Sequence, residues 1–266
     1  MTDRKRVFYT VPVRTAPETG NGSLPAGNTA TGLLKLIALL LMLTDHIGAV
    51  IFPGIPELRI IGRAAFPVYC WCMVVGFCYT RCEWKYLLRI LITGLVSQPL
   101  YAVAMNHDLN KANIFLTLLL GLIALWGLRS RKWFSQIWAP AAAIALAVLL
   151  KADYGWKGVL LIILLYAART SRPAIAGVMV ALFLYWGTSY SVTRSLFGIP
   201  IDLNVLPEVL SQPLTAFMRL ETYALLSLPL ILIRFPKDVR YPRWVGYALY
   251  PAHLLLIILL KKLILG

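Results

Sequence analysis

The run from Leu33 to Phe52 is almost unbroken hydrocarbon, yet it carries Asp45 and His46 side by side. A helix of about 20 residues, rising about 1.5 Å per residue, covers a bilayer core of about 30 Å. Each ionisable group placed there costs about 2.5–3.5 kcal/mol on insertion scales. A pair retained at that cost indicates a functional site, and the alternative is a structural pair satisfied by other helices.

The composition indicates a polytopic membrane protein of the all-α class, a transmembrane helix bundle. Of the 266 residues, 59% are hydrophobic and 14% are charged, against about 45–50% and about 25% in soluble domains. The formal net charge is +15, but the positive residues lie at the ends of the apolar runs. That pattern is typical of membrane orientation and of contact with the lipid bilayer's anionic head groups, and it argues against nucleic acid as a partner.

Residues 1–31 are polar and basic and lack the apolar core of a signal peptide, so we expect a disordered cytoplasmic tail. Residues 32–266 are then expected to form a single transmembrane domain. The four cysteines fall in one apolar run and have no second Cys or His cluster to complete a metal site. We expect buried free thiols and no metal at Cys70, Cys72, Cys78 and Cys82.

Nine candidate spans follow from the apolar runs: 33–52, 61–80, 87–105, 113–129, 133–150, 155–169, 173–189, 217–234 and 244–263. The sixth is the shortest. The stretch 190–216 contains three prolines and mixed polarity, which excludes a regular span. It is expected to be a long loop, or an interfacial or re-entrant element beside a cavity.

Lys and Arg are strongly biased to one set of connections, which include Arg81 and Lys85, Arg129 to Lys132, and Arg234 to Arg243. The positive-inside rule therefore places the N-terminus in the cytoplasm. With nine spans the C-terminus faces outward. The expected location is the inner (cytoplasmic) membrane of the cell, crossed several times.

With this orientation, the unusual polar residues fall at the midplane or in the outer half of the bundle. They are Asp45, His46, Arg63, Gln98, Tyr101, Asn106, Asn113, Asp153, Tyr154, Glu221 and His253. This distribution predicts one outward-facing polar cavity with two histidines at its floor.

Histidine has an unperturbed pKa near neutrality and suits proton transfer. Adjacent helical residues point about 100° apart, so Asp45 and His46 cannot fully share a face. One of them is expected to face the cavity while the other meets a partner such as Arg63. The alternative roles are an anchor at the membrane boundary for Arg63 and helix packing for His253. Capping or interhelical hydrogen bonds are the alternative for four further residues, Gln98, Asn113, Asp153 and Glu221.

Several of these positions resemble the TraX family, membrane proteins named for the F-pilin N-acetylase of conjugation systems. Leu43-Thr44-Asp45-His46 resembles the signature of the family's first span, and Gly62 to Pro67 resembles its next motif. Further matches follow in order and spacing: Asn113-Ile114, Tyr154-Gly155 with Gly158, and Tyr250 with His253. The similarity extends from about residue 33 to the C-terminus.

The resemblance implies transfer of an acetyl group from acetyl-CoA to an amino group, with pilin as one candidate acceptor at the outer face. His46 is then expected to be the general base, oriented by Asp45 or another carboxylate, with His253 as the competitor for that role. Arg63 is expected to stabilise anionic charge of the intermediate or of CoA. The expected substrate-binding residues are Gln98, Asn113, Asp153, Tyr154, Glu221 and Tyr250.

The donor's access to the site stays open at this point, because acetyl-CoA is cytoplasmic while the predicted cavity opens outward. Either CoA inserts its arm from the inner face, or the acetyl group crosses on an enzyme group. The basic clusters at 81–89 and 129–132 are candidates for holding the CoA phosphates, or are ordinary positive-inside charge. The competing functions are a proton-coupled secondary transporter, since intramembrane Asp and His also form proton relays, and a non-catalytic scaffold.

Overall fold

The structure, a computed structural model, describes residues 9–12, 24–130, 132–190, 192–193 and 195–265. Its helices are α1 Thr31–Val50, α2 Pro56–Gly62, α3 Ala65–Cys78, α4 Glu83–Met105, α5 Ile114–Arg129, α6 Trp133–Leu149, α7 Gly155–Ala168, α8 Arg172–Gly187, α9 Glu208–Phe217, α10 Leu228–Leu232 and α11 Arg243–Leu265. Short 3-10 helices cover Leu203–Val205 and Leu220–Ser227, and the strands are β1 Tyr9–Pro12, β2 Ser195–Leu196, β3 Ile199–Pro200 and β4 Lys237–Arg240.

The all-α class is confirmed. Within the described residues, four helical segments are long and apolar enough to cross a membrane: Thr31–Val50, Pro56–Cys78, Glu83–Met105 and Trp244–Ile264. Shorter apolar helices occupy Ile114–Arg129, Trp133–Leu149, Gly155–Ala168, Arg172–Gly187 and Leu220–Leu232. Each predicted span thus overlaps an apolar helical segment, while the number of membrane crossings and their orientation stay predictions.

Two predicted spans differ from regular helices. The second begins earlier than expected, at Pro56, and is interrupted at Arg63 and Ala64 between α2 and α3. The eighth is a 3-10 helix from Leu220 to Ser227 that passes into the five-residue α10. Pro229 stands in the first turn of α10, where its missing N–H removes no intrahelical hydrogen bond.

The segment of α2 and α3 is the centre of the bundle, because 83% of the apolar window within Pro56–Cys78 is buried inside the protein. Its Trp71, Phe66 and Phe77 are among the largest fully buried side chains. In contrast, only 33%, 39% and 22% of the windows in α1, α4 and α11 are buried. The remaining apolar faces of these three helices point outward, as expected of helices in contact with lipid.

Parts of the segment predicted as a tail are folded onto the bundle. Residues 9–12 pair antiparallel with 237–240, and Asn28 is fully buried and donates its side-chain amide to Leu230 O at 3.0 Å. Asp238 in β4 accepts from the backbone N–H of Leu33 at 2.9 Å, in the first turn of α1. The prediction of disorder is therefore wrong at residues 9–12 and 24–30, and residues 1–8 and 13–23 lie outside the described part.

The segment from 195 to 217 is irregular, as predicted. It contains a hairpin of the two-residue strands β2 and β3 and the amphipathic helix α9. The Phe197 N–H in this hairpin donates to the Glu57 carboxylate of α2. Farther from this region, all four cysteines are free, but Cys82 is exposed. The prediction of a buried thiol is wrong there because Cys82 lies in the turn between α3 and α4.

Candidate functional site

Helices α1 and α2 approach each other closely at Gly62 and Asp45. A Cβ atom placed on Gly62 would lie 2.3 Å from Asp45 Cβ and 2.6 Å from its Cα. Any side chain at position 62 would therefore push the two helices apart. The glycine brings the end of α2, and with it Arg63, onto the carboxylate of Asp45.

Four charged side chains form a cluster at this contact, and we call it the ion cluster: Asp45, Arg59, Arg63 and Glu221. Asp45 Oδ1 accepts from Arg59 Nε at 3.0 Å and from Arg63 Nε at 3.1 Å. Asp45 Oδ2 accepts a further short hydrogen bond from Arg63, and Arg63 also donates to Glu221 Oε2 at 3.3 Å. Two carboxylates thus balance two guanidinium groups in a largely buried position.

The ion cluster changes the roles expected for its members. The hydrogen bonds of the Asp45 carboxylate among the described residues go to arginines, so Asp45 does not hold the His46 ring. Arg63 is shared by two carboxylates, which neutralise its charge before any substrate arrives. Both residues therefore connect α1, α2 and the 220–227 segment.

The partner of His46 is His253, from the last helix. His253 Nε2 lies 3.3 Å from His46 Nδ1, and the two rings are stacked with centroids 5.3 Å apart and planes inclined by 22°. Tyr250, one helical turn before His253, packs edge-on against the His253 ring with centroids 4.8 Å apart. The sequence predicted both histidines as site residues, and the structure brings them into direct contact.

A narrow pocket lies in front of His46 and is lined by residues of six helices and one turn. Its lining is Met42, Asp45, His46, Gly62, Ala65, Phe66, Tyr69, Tyr101, Ile114, Asp153, Tyr154 and Tyr250. The cavity volume is about 20 Å³, which is about the space that one water molecule requires. In this conformation the pocket holds no space for a larger substrate group.

Asp153 adds a carboxylate to this pocket from the turn between α6 and α7. The Tyr101 hydroxyl donates to Asp153 Oδ1 at 3.2 Å. Burial raises the pKa of Asp153 above its ordinary value, since a charged carboxylate is poorly solvated there. Among the described residues, no Lys or Arg forms an ion pair with it.

Aromatic rings form the wall beside Asp153. The Tyr154 ring stacks on Phe66 with centroids 3.6 Å apart and planes nearly parallel, and the edge of Trp186 packs against both rings. Tyr250 packs edge-on against Phe115. In this conformation, these ring contacts hold Tyr154 and Tyr250 facing the pocket.

Three predicted substrate-binding residues do not line this pocket. Asn113 accepts from Phe115 N–H at the start of α5 and donates to Gly94 O at 2.8 Å. Gln98 accepts from Asn113 N–H and donates to Leu109 O and Lys111 O. These two amides fasten the loop 106–113 to α4, and Glu221 is a partner of Arg63. Their positions match the alternative reading of capping and interhelical hydrogen bonds.

No site role was predicted for Arg59 or Tyr69, and Tyr101 was predicted only as one of the polar residues around the cavity. Arg59 was counted with the few basic residues of the outer connections, although its position four residues before Arg63 places both on one face of α2. Tyr69 and Tyr101 stand in apolar runs, where a tyrosine carries no special signal. Their placement around the pocket results from the packing of α3 against α1 and of α4 against α11.

Comparison with known proteins identifies the fold family. The family model described as TraX protein matches residues 30–261. The chain belongs to the TraX family. One relative, the probable fimbrial assembly protein FimC of serogroup H1 from Dichelobacter nodosus, is 27% identical over 247 residues, covering 84% of this chain and 92% of the relative.

A second relative of this TraX-family chain is an uncharacterised protein of Rickettsia prowazekii (strain Madrid E). It is 35% identical over 89 residues, which is 34% of each chain. No solved structure matches the chain significantly. Within the described residues, no group of three or more His, Cys, Asp or Glu side chains is arranged to hold a metal ion.

Proposed function

We propose that this TraX-family chain is an integral-membrane acetyltransferase that moves the acetyl group of acetyl-CoA to an amino group. The observation that supports it most is the pairing of His46 with His253 at the edge of the pocket. One ring nitrogen of His46 is used in that contact, while the residue lines the cavity. A histidine held by one nitrogen has the other available for proton transfer.

The surroundings of His253 support one choice of tautomers as part of this proposal. His253 Nδ1 is buried and has no hydrogen-bond partner among the described residues, although the carbonyls of Leu249 and Tyr250 lie nearby. A proton on Nδ1 points toward these carbonyls and leaves Nε2 of His253 as an acceptor. His46 Nδ1–H then donates to His253, and the lone pair of His46 Nε2 is free to act as general base.

The reaction begins with the acceptor as an ammonium ion. The Asp153 carboxylate, which has no cation partner among the described residues, is suited to bind it. His46 Nε2 takes one proton, and the free amine attacks the thioester carbon. The tetrahedral oxyanion receives a hydrogen bond from a tyrosine hydroxyl of the pocket. Collapse breaks the carbon–sulfur bond, His46 returns its proton to the CoA thiolate, and the nitrogen of the new amide releases its second proton to water.

In this scheme Asp45, Arg59, Arg63 and Glu221 are positioning residues. They fix α1 against α2 and thereby set the position of His46, which follows Asp45 on the same helix. The acetyl group exceeds the present cavity of about 20 Å³, so substrate binding has to separate rings such as Phe66 and Tyr154. Catalysis therefore includes an opening step.

The name of the Dichelobacter relative, a probable fimbrial assembly protein, favours a pilin-like acceptor with a free α-amine. We place the chain in the inner membrane, with the N-terminus in the cytoplasm and the pocket toward the outer face. Acetyl-CoA reaches the site from the cytoplasmic side. The bias of Lys and Arg in the connections supports this orientation.

The test is release of free CoA by the purified full-length protein in nanodiscs. Radiolabelled acetyl-CoA is supplied with and without peptides that bear a free α-amine, and His46→Ala serves as the inactive comparison. Label in the peptide together with His46-dependent CoA release is the expected result. Folded protein that neither binds acetyl-CoA nor releases CoA would refute the proposal and favour the transporter alternative.

A further inference from the structure

Arg89 occupies an unusual place where α4 packs against α11. It is half-buried, its Nε donates to the Tyr247 hydroxyl at 3.3 Å, and its Cζ lies 5.7 Å from the Tyr86 ring centroid and 6.0 Å from that of Tyr247. The guanidinium thus lies beside two aromatic rings. Among the described residues, no carboxylate pairs with it.

Other arginines at the same end of the bundle are bound by the protein itself. Arg129 pairs with Glu83 and donates to Phe77 O and Thr80 O. Arg234 donates to Gly27 O and Pro25 O, and Arg172 donates to Ala26 O. These side chains fasten loops, whereas in the described part of the chain no hydrogen bond occupies the two terminal nitrogens of Arg89.

The position of Arg89 connects it with the pocket. Tyr247, Tyr250 and His253 follow one another at three-residue steps on α11, and Tyr250 lines the pocket. Six residues of helix separate Tyr247 from His253, which corresponds to about 9 Å along the axis. A group bound at Arg89 therefore lies toward the basic end of the bundle but within reach of the pocket through a row of aromatic side chains.

A half-buried guanidinium without a counter-ion attracts an anion, and its planar array of N–H groups matches phosphate oxygens. We propose that Arg89, framed by Tyr86 and Tyr247, is a binding site for a phosphate ester. Two sources carry this chemistry: the phosphates of a CoA donor and the head group of an anionic phospholipid. The first source rests on the proposed acetyl transfer, and the second is independent of it.

The test measures ligand binding to the full-length protein in nanodiscs, without turnover. The variants are Arg89→Gln and Arg89→Lys, and the matched control is Lys85→Gln, which removes the same charge from an exposed position on the same helix. The probes are CoA, pantetheine, which lacks the phosphates, and inorganic pyrophosphate. The nanodiscs are made of phosphatidylcholine alone or with added phosphatidylglycerol.

If the ligand is the phosphates of CoA, Arg89→Gln in nanodiscs of phosphatidylcholine alone weakens CoA binding by about tenfold or more. Pantetheine binding stays unchanged. For the lipid source, phosphatidylglycerol raises the melting temperature of the wild type and of Lys85→Gln but not of Arg89→Gln. Either result supports the phosphate site. Equal behaviour of Arg89→Gln and Lys85→Gln toward every probe and lipid would overturn it.

Failure of the phosphate site and failure of the acetyl transfer give different results. If the wild type transfers acetyl groups while Arg89→Gln keeps the same KM for acetyl-CoA and the same lipid response, the phosphate site is wrong and the transfer stands. If the wild type releases no CoA but binding of pyrophosphate or phosphatidylglycerol depends on Arg89, the acetyl transfer is wrong and the phosphate site stands. Arg89→Lys keeps the charge but loses the planar array of N–H groups, so it should bind more weakly than the wild type and more tightly than Arg89→Gln. Its remaining binding controls for misfolding.

Discussion

His46 and His253 lie 207 residues apart in the sequence and meet through Nδ1 and Nε2 at 3.3 Å, with their rings stacked. The contact joins the first helix of the bundle to the last. It assigns different positions to the two rings, because His46 lines the pocket while His253 lies behind it among Tyr250 and the backbone of α11. The two histidines should therefore differ in their importance for turnover.

We expect His46→Ala to lower kcat by about 10²–10⁴, the usual contribution of a general base. His253→Ala should lower kcat less, since it removes the support of the base and leaves the base itself. The measurement is CoA release at saturating acetyl-CoA.

His107, the remaining histidine of the chain, is the matched control. It lies in the loop 106–113, where its Nε2 contacts Lys111 Nζ at 2.9 Å. His107 does not line the pocket, although its ring centroid lies 5.7 Å from that of Tyr101. His107→Ala should therefore lower kcat far less than His46→Ala. Equal losses for His46→Ala and His107→Ala would contradict the assignment of the base.

Breaking the ion cluster should reduce stability strongly. Removing one partner of a buried ion pair costs about 3–5 kcal/mol, because the other charge is left without compensation. Asp45→Asn leaves Arg59 and Arg63 with one carboxylate between them, so we expect a marked loss of free energy of unfolding in a denaturant titration of the detergent-solubilised protein.

The pair of Glu83 and Arg129 provides the comparison, since its side chains are 24% and 41% exposed. Glu83→Gln should change the free energy of unfolding by about 1 kcal/mol or less. A similar effect of Asp45→Asn and Glu83→Gln would show that the ion cluster does not hold α1 against α2.

Asp153 should make stability depend on pH. Burial raises the pKa of Asp153 in the folded protein, so its contribution to stability is fully present below the unfolded-state pKa and is lost as pH rises through the folded-state pKa. Asp153→Asn removes this loss of stability at higher pH, because asparagine does not ionise. The variant should melt at a higher temperature than the wild type near neutral pH, and the difference should shrink toward about pH 4.

Thermal melting at several pH values in one detergent tests this prediction. Asp108→Asn, at an exposed carboxylate in the nearby loop, should show no such change with pH. A difference between Asp153→Asn and the wild type that stays constant across the pH range would argue against a buried carboxylate at position 153.

Gly62→Ala should damage both folding and activity. The added Cβ would lie 2.3 Å from Asp45 Cβ and 2.7 Å from its backbone nitrogen, so α1 and α2 must separate, at a cost of about 1–3 kcal/mol. The melting temperature and the rate of CoA release should both fall.

Gly177→Ala is the control, because a Cβ at that helical position meets nothing within 4 Å. It should leave activity unchanged and stabilise α8 by about 0.5–1 kcal/mol, since alanine is the better helix former. If Gly62→Ala were as harmless as Gly177→Ala, the close approach at Asp45 would not be required.

The sequence by itself determined the helical class and the places of the apolar segments. An apolar run such as 33–52 predicts a helix in a membrane without knowledge of the rest of the fold, because hydropathy and helix length are local properties. It also singled out His46, His253, Asp45, Arg63, Asp153, Tyr154 and Tyr250, since a polar group inside an apolar run stands out without knowledge of its neighbours.

Only the tertiary structure decided which of these residues meet. Asp45 binds Arg59 and Arg63 instead of His46, and His46 binds His253, because side-chain partners depend on how helices distant in sequence pack and rotate. The side-chain amides of Gln98 and Asn113 form hydrogen bonds that hold the loop 106–113 against α4, which also depends on the packing of the helices. Hydrophobic patterning determines which face of a helix is buried. The partner of each buried polar group depends instead on tertiary packing, such as the close contact at Gly62 and the stacked rings around Tyr154.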